Sequence, residues 1–286
     1  FPPGGAADQI ARAIGVPLGE ALGQPVVVEN RGGANGNLGG EMVAKSPADG
    51  YTLLMSSGGM VSVNPHIYAR MPFDPTKDLV PVASAARVLV FLVAKPNFPA
   101  NNIQEFLAHV KANPGRLSYG SAGNGSSPHL AGEMMKSQAG LFAVHVPYRG
   151  APEIITSVMG GSALFGFPTL STAVSLVKSG KIRALGVTGP KRNPAMPNVP
   201  PVGETVAGFE VVSWFGILAP GKFPVEMARR IDQEIQKALT EPAFRDKVQA
   251  DGTEIVGLGY GGFADYLRQD LQKWKRAVEL SGAKVD

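Results

Sequence analysis

The sequence predicts an α/β fold in which helices are layered on sheets, and three observations carry the prediction. Short apolar runs rich in Val and Leu alternate along the 286 residues with stretches whose apolar positions recur at helical spacing. The alternation restarts at "NNIQEFLAHVKANPG", near residue 101, as a second α/β unit would. Two long apolar runs, near residues 87–95 and 210–219, read as strands that cross between the units, which gives two lobes with a cleft between them.

Element by element, "DQIARAIGVPLGEALG" is a helix with a kink or break expected at Pro17, and "PVVVEN" is a buried strand. "LGGEMVAKS" is a short helix and "YTLLMSS" a strand. A loop through "MPFDPTKDLV" then leads to the strand "RVLVFLVA". The runs are too short for long helices and rich in Val and Leu, as strands of parallel sheets buried on both faces should be. The second unit reads as helix, strand "LSYGSA", helix "HLAGEMMKSQ", strand "AVHVPY", helix "APEIITSVMGG", strand "ALFGF", helix "STAVSLVKSG" and strand "IRALGVTG". A proline-rich excursion precedes "FEVVSWFGILAPG", and only helices are expected beyond Ala219, ending in "FADYLRQDLQKWKRAVELSG".

Composition narrows the function. At 44% hydrophobic and 17% charged the chain can bury a sizeable core, and no apolar run reaches the length of a membrane span. The net charge of +4 is spread over single or paired basic residues, not a basic stripe interleaved with aromatics, which argues against nucleic acid as a partner. With no cysteine there are no thiolate nucleophiles, disulfides or Cys-based metal sites, a composition that fits an oxidising compartment. The four histidines, His66, His109, His129 and His145, show neither HxH nor HExxH spacing. The abrupt opening on "FPPGG" leads to the expectation that a strand and any leader ahead of Phe1 have been removed.

The chemistry concentrates in "YGSAGNGSSPHLAGE", residues 119–133, a strand, a glycine-rich turn and a helix start. Such a junction presents backbone N–H groups that no helical carbonyl can satisfy, at the electropositive end of the helix dipole. Gly120, Gly123 and Gly125 let a ligand approach the backbone, Ser126 or Ser127 caps the helix or turns its hydroxyl outward, and Pro128 suits the first turn. A capped loop with no ligand is the other reading of this stretch alone. "FPPGGAADQIAR" is a second instance, with Gly4 and Gly5 where free N–H groups are expected, and "RGGANGNLGGE" is a third glycine-rich turn. Neither main loop contains Lys, which excludes a phosphate-binding P-loop, and Pro128 breaks the dinucleotide fingerprint. A carboxylate suits loops that offer amides and hydroxyls without fixed cations.

These motifs, with "VVVENRGGANGNLGGE", "PADGYTLL", "HVPYRG", "RALGVTGPKR" and "SWFGILAP", run in order over nearly the whole chain. The chain resembles the periplasmic solute receptors of tripartite tricarboxylate transporters, the Bug proteins. The resemblance implies a type II periplasmic-binding-protein fold, two α/β lobes around a ligand cleft with two crossover strands. Lobe 1 is expected to comprise residues 1–95 and 213–286 and lobe 2 residues 96–212. It implies a monomeric periplasmic receptor, its signal peptide removed, that captures a dicarboxylate, aromatic acid or amino acid and delivers it to permease subunits, with no cofactor, metal or catalytic residue. The ligand carboxylate is then expected at Phe1, Gly4, Gly5, Ala6, Ala7, Asp8 and Ser57, and at Ser121, Gly123, Gly125, Ser126, Ser127, His129, Tyr148, Phe167 and Thr169.

The chain also departs from the family. Relatives carry a strand before the first motif, and after their "MGG" many show an acidic residue and later an Asp-Asn pair. Here Leu164 and Pro168-Thr169 stand instead, with Phe165 and Phe167 between them, which favours a less polar acid unless the phenylalanines are strand core. Tyr148 and Arg149 follow a strand, as cleft residues or as a structural tyrosine and a surface arginine. Asp8 stabilises a helix start yet would repel a carboxylate beside it. Two other readings stay open: a hydrolase using Ser127 and His129, though no G-x-S-x-G elbow marks it, and a sensory receptor for the same ligands.

Overall fold

The computed structural model describes residues 1–250 and 252–281. The last residues assigned to lobe 1 by sequence, 282–286, lie outside the described residues. The chain divides into two compact units. Unit 1 takes Phe1–Arg87, Trp214–Gln249 and the segment from Glu254 onward; unit 2 takes Val88–Ser213 with Ala250, Gly252 and Thr253.

Unit 1 opens with helix α1 (Ala6–Leu22), followed by α2 (Asn37–Ala44) and strand β1 (Leu54–Ser57). A π-turn (Gly59–Val63) runs into the short helix α3 (Asn64–Ile67), and strand β2 (Leu79–Leu89) carries the chain into unit 2. The chain returns on a strand spanning Val212–Pro220, and the remaining elements of unit 1 are helices at Val225–Thr240, Pro242–Ala250 and Tyr260–Ser281 and a two-residue strand, Glu254–Ile255. Unit 2 contains β3 (Phe91–Ala94), α4 (Ile103–Ala112), β4 (Ser118–Ser121), α5 (Ser127–Ala139), β5 (Val144–Pro147) and α6 (Ala151–Gly160). It closes with β6 (Phe165–Gly166), α7 (Leu170–Lys178) and β7 (Arg183–Val187). In chain order the returning strand is β8, the later helices α8, α9 and α10, and the short strand β9.

Unit 1 has a four-stranded sheet in the order β1-β8-β2-β9, and unit 2 a five-stranded sheet in the order β5-β4-β6-β3-β7. Neither is wholly parallel, which corrects the expectation from the sequence. β4 pairs in parallel with β5 and β6, whereas β3 pairs antiparallel with β6 and β7, and β1 pairs antiparallel with β8 from Leu54↔Leu218 to Ser57↔Phe215. The continuous apolar runs remain correct in their other meaning, because β2, β3 and β8 are covered on both faces. Trp214, Phe263, Met60, Phe73 and Leu267 build the core of unit 1, and Phe91, Val93, Ile154, Val158 and Leu170 that of unit 2.

Four further corrections have local causes. α1 runs through Pro17 without a break; a proline removes one backbone donor, and the apolar face Ile10, Ile14 and Leu18 stays buried on both sides of it. β2 begins at Leu79, eight residues before the predicted strand, because "LVPVASAA" pairs although its Pro, Ala and Ser have little intrinsic strand preference. β9 adds a rung at Ala86↔Ile255 where only helices were expected. Residues 25–30 form neither helix nor strand and are largely exposed, Val27 to 85%, and they pair with no strand among the described residues. The sheet ends at β1, which leaves a groove of ≈ 970 Å³, its open mouth included, between residues 26–31 and β1. Ala11 and Ile14 of α1 and Met42 and Val43 of α2 wall it on its apolar side, and Asp8, Glu29, Asn30 and Arg31 also line it.

Candidate functional site

In unit 2 the turn between β4 and α5 is built by local capping. Ser126 is the N-cap of α5: its Oγ accepts the His129 N–H at 3.3 Å and donates to the Gly123 carbonyl at 2.6 Å. Gly123 and Gly125 hold φ of +108° and +78°, which only glycine adopts without strain. Their amides are used internally, Gly123 N–H donating to Ser121 Oγ at 3.2 Å and Gly125 N–H to His129 Nδ1 at 3.1 Å. This corrects the idea that these two glycines offer their amides to a ligand. The N–H groups of Ala122, Asn124 and Ser127 and the Ser127 hydroxyl have no protein partner among the described residues. They sit at the positive end of a 13-residue helix, as an anion site requires.

Behind the turn lies a polar cluster that sequence reading missed. His145 of β5 stacks on His129 with ring centroids 4.2 Å apart and on Tyr119 at 5.0 Å, and its Nε2 lies 2.6 Å from Ser121 Oγ. Burial lowers the His129 pKa despite the attraction of Glu133, and burial together with the neighbouring His129 pushes His145 down to about 3. Both rings are therefore neutral at pH 7. Because Nδ1 of His129 accepts a hydrogen bond, its proton resides on Nε2. Burial works against the charge of Glu133, but bonds from Lys136 at 2.8 Å and the Tyr119 hydroxyl at 2.6 Å outweigh it and hold that carboxyl below its usual range. Only the register Tyr119↔His145, set by strand pairing, could have signalled this cluster.

In unit 1, Gly5 is the N-cap of α1 and no side chain caps the helix. The amides of Ala6, Ala7 and Asp8 have no acceptor among the described residues, although all three residues are buried. Gly4, expected to present a free amide, instead donates to Asp8 Oδ2 at 2.9 Å. Asp8 also accepts from Arg12 Nε at 2.9 Å and from Asn30 Nδ2 at 3.0 Å, and Phe1 N donates to the Arg31 carbonyl at 2.8 Å. Burial opposes the Asp8 charge, yet Arg12, the Gly4 amide and Asn30 together hold its pKa below the usual value. Asp8 is thus a paired structural acid that ties the first turn down. A depressed carboxyl pKa adds stability that is present above the ordinary carboxylate range and is lost as pH falls through the depressed value. Thermal melts below pH 5 should therefore show a steeper loss for the wild type than for Asp8→Asn, and superimposable slopes would remove Asp8 from that role.

The sequence-predicted residues fall into distinct settings. Ser121, Gly123, Gly125, Ser126, Ser127 and His129 are brought together, with Tyr148 beside them: its N–H donates to the Ser121 carbonyl at 2.9 Å. Ser121 is fully buried and its hydroxyl is engaged by His145, so it supports the turn from behind. Phe1, Gly4, Gly5, Ala6, Ala7 and Asp8 form the start of α1, and Ser57 ends β1. Phe167 is wholly buried, edge-on to Tyr119 and Phe165, so both phenylalanines are strand core and the ligand-facing reading of Phe167 is corrected. Thr169 is the N-cap residue of α7 and its Oγ1 bonds Thr172 Oγ1 at 2.9 Å. Arg149 is exposed, its N–H on Glu153. Ser127 and His129 share no hydrogen bond, because His129 Nδ1 is committed to Gly125, so the nucleophile–base pair of a hydrolase is not formed there. Among the described residues no helix is long and apolar enough to cross a membrane, and no three His, Asp or Glu are grouped to hold a metal.

The profile of the family described as "Tripartite tricarboxylate transporter family receptor" matches residues 10–282. A UPF0065 protein from the tcbD-tcbE intergenic region of Pseudomonas sp. (strain P51) is 36% identical over 280 residues, 97% of this chain and 83% of the relative. Protein BugT of Bordetella pertussis is 31% identical over 287 residues, covering 100% of this chain and 88% of BugT. Among solved structures, R. palustris Rpa4515 with adipate superposes with a TM-score of 0.96 at 30% identity, covering 100% of this chain and 96% of that one. MatC (Rpa3494) from Rhodopseudomonas palustris with bound malate gives 0.91 at 25% identity, covering 97% and 96%. The fold is that of the type II periplasmic binding proteins.

Proposed function

Because the chain belongs to the tripartite tricarboxylate transporter receptor family, the Bug-type solute receptors, we propose that it captures a small carboxylate in the periplasm and hands it to the family's membrane permease. The observation that carries the ligand class is the set of unpaired donors at the start of α5: the amides of Ala122, Asn124 and Ser127 and the Ser127 hydroxyl, with no lysine or arginine in the turn. Hydrogen bonds to a charged group contribute about 1.5–3 kcal/mol each, and ordering offsets part of that, so affinity in the micromolar range, near −8 kcal/mol, is expected. A fixed guanidinium or ammonium would select phosphate or polyanions more strongly; amides and a hydroxyl suit a carboxylate. The relatives bound to adipate and to malate support a dicarboxylate, and the resemblance implies that the uncapped start of α1 takes part.

Native mass spectrometry of the purified protein should reveal a co-purified small acid, and calorimetry should give micromolar affinity for at least one of adipate and malate. Ser127→Ala is expected to weaken that binding about tenfold with an unchanged melting temperature. No co-purified acid and no heat with either acid would overturn the ligand class. Unchanged affinity in Ser127→Ala would remove its hydroxyl from the site.

A further inference from the structure

His145 lies in the second rank behind the turn, and no proposed ligand contact explains it. Two elements pack against it, β4 and α5. β4 supplies Tyr119 and Ser121; α5 supplies His129, with the paired Glu133 and Lys136 behind it. His129 is held from two directions, its Nδ1 by the Gly125 amide and its ring face by His145 at 4.2 Å. Ser121 Oγ, which accepts the Gly123 amide, is in turn held by His145 Nε2. One imidazole therefore touches both side chains that fix the two glycine amides of the turn.

We propose that His145 is a positioning residue for the carboxylate turn: it fixes the Ser121 hydroxyl by a hydrogen bond and holds the His129 ring flat, so that Nδ1 of His129 faces Gly125 and its Nε2–H remains as a donor toward the ligand. The proposal rests on the reading of this turn as the carboxylate site. Its chemical consequence is insulation from acid. A protonated His129 could not accept the Gly125 N–H, and the turn would lose one of its two internal amide bonds. Burial favours the neutral form of His129, and the stacked His145 ring supplies one face of that cover, so the turn persists through the pH range near 6.5 in which an exposed histidine titrates. Opening the stack to water should return His129 toward ordinary titration. The bond to Gly125 would then be intact above pH 6.5 and lost below it.

The test uses the ligand-free full chain, so that it does not depend on the ligand. Nitrogen-15 spectra should show His129 of the wild type as the neutral Nε2–H tautomer at pH 7, with the Gly125 amide resonance unmoved between pH 7.5 and about 6. In His145→Gln, which keeps a hydrogen-bonding amide but not the ring, the Gly125 resonance should titrate with a midpoint near 6.5. His145→Phe keeps a stacked ring but loses the nitrogen; it should leave that resonance flat and instead shift the Gly123 amide, which Ser121 holds. Adipate titration should follow the same split, about fivefold weaker binding in His145→Phe at all pH values and a pH-dependent loss in His145→Gln. A charged or Nδ1–H His129 in the wild type, or pH-flat Gly125 resonances in both variants, would overturn the proposal. If the wild type gives these spectra but binds no carboxylate, the ligand reading fails and the role of His145 in the turn stands. Should His145→Gln not fold, the wild-type tautomer and His145→Phe still decide.

Discussion

Replacing Gly125 by valine is expected to lower carboxylate affinity about thirtyfold while leaving the chain folded. Gly125 holds φ of +78°, a conformation that costs a β-branched residue on the order of 1–3 kcal/mol. The turn has no slack to absorb this, because the Gly125 amide is tied to His129 Nδ1 and the Gly123 carbonyl to Ser126 Oγ. The strained turn relaxes by releasing those bonds, which misplaces the Ala122, Asn124 and Ser127 amides; 2 kcal/mol of lost binding is about thirtyfold. His129→Gln, which retains an acceptor that can reach toward Gly125, is expected to cost about fivefold. Calorimetry on both variants, with melting temperatures alongside, checks the ranking. A larger loss in His129→Gln than in Gly125→Val would place the binding energy in side-chain chemistry and not in the backbone turn.

The second large effect is expected at Gly132, where α5 packs on β4. A methyl group at this position would collide with the Tyr119 ring and come within 2.7 Å of its hydroxyl oxygen. Tyr119 cannot swing away. Its hydroxyl donates to Glu133, its ring stacks on His145 and Phe165, and it is fully buried. Gly132→Ala therefore has to lift α5 off the sheet, an overpacking cost of about 1–3 kcal/mol. At roughly 2–4 °C per kcal/mol for a chain of this size, the melting temperature should fall by about 5 °C. Displacing α5 also moves the amide of Ser127, so affinity should fall with stability. A variant as stable as the wild type would show that the close approach of helix and strand is not required.

The parts of the site that were legible in the sequence are those governed by local chemistry. Ser126 three residues before His129, Pro128 in the first helical turn and glycines at positive φ define a capped helix start without reference to anything distant. The partner Arg12 of Asp8 lies one turn along the same helix and was within reach of such reasoning, whereas Asn30, 22 residues away, was not. The His145–Ser121 bond depends on the β4–β5 register, and residue spacing alone does not fix a register. The same limit explains residues 25–30. Val26, Val27 and Val28 favour strand, but a strand exists only where a neighbour supplies hydrogen bonds, and the sheet ends at β1. β9 failed for the opposite reason, since two residues carry no periodicity and only their pairing with Ala86 and Arg87 defines them.

Unpaired backbone amides, not charged side chains, are expected to hold the ligand carboxylate. Amide nitrogen-15 spectra of the full chain titrated with adipate and malate test that most directly, with adipamide as the uncharged control. With the acid that binds, the Ala122, Asn124 and Ser127 amide protons should move strongly downfield, as donors to a carboxylate do, while those of Gly123 and Gly125 stay nearly fixed because they are already bonded within the turn. The amides of Ala6, Ala7 and Asp8 report in the same spectra whether the start of α1 participates. Adipamide should leave all of these resonances in place. Saturable acid binding that leaves Ala122, Asn124 and Ser127 unmoved, or equal shifts with adipamide, would contradict the account.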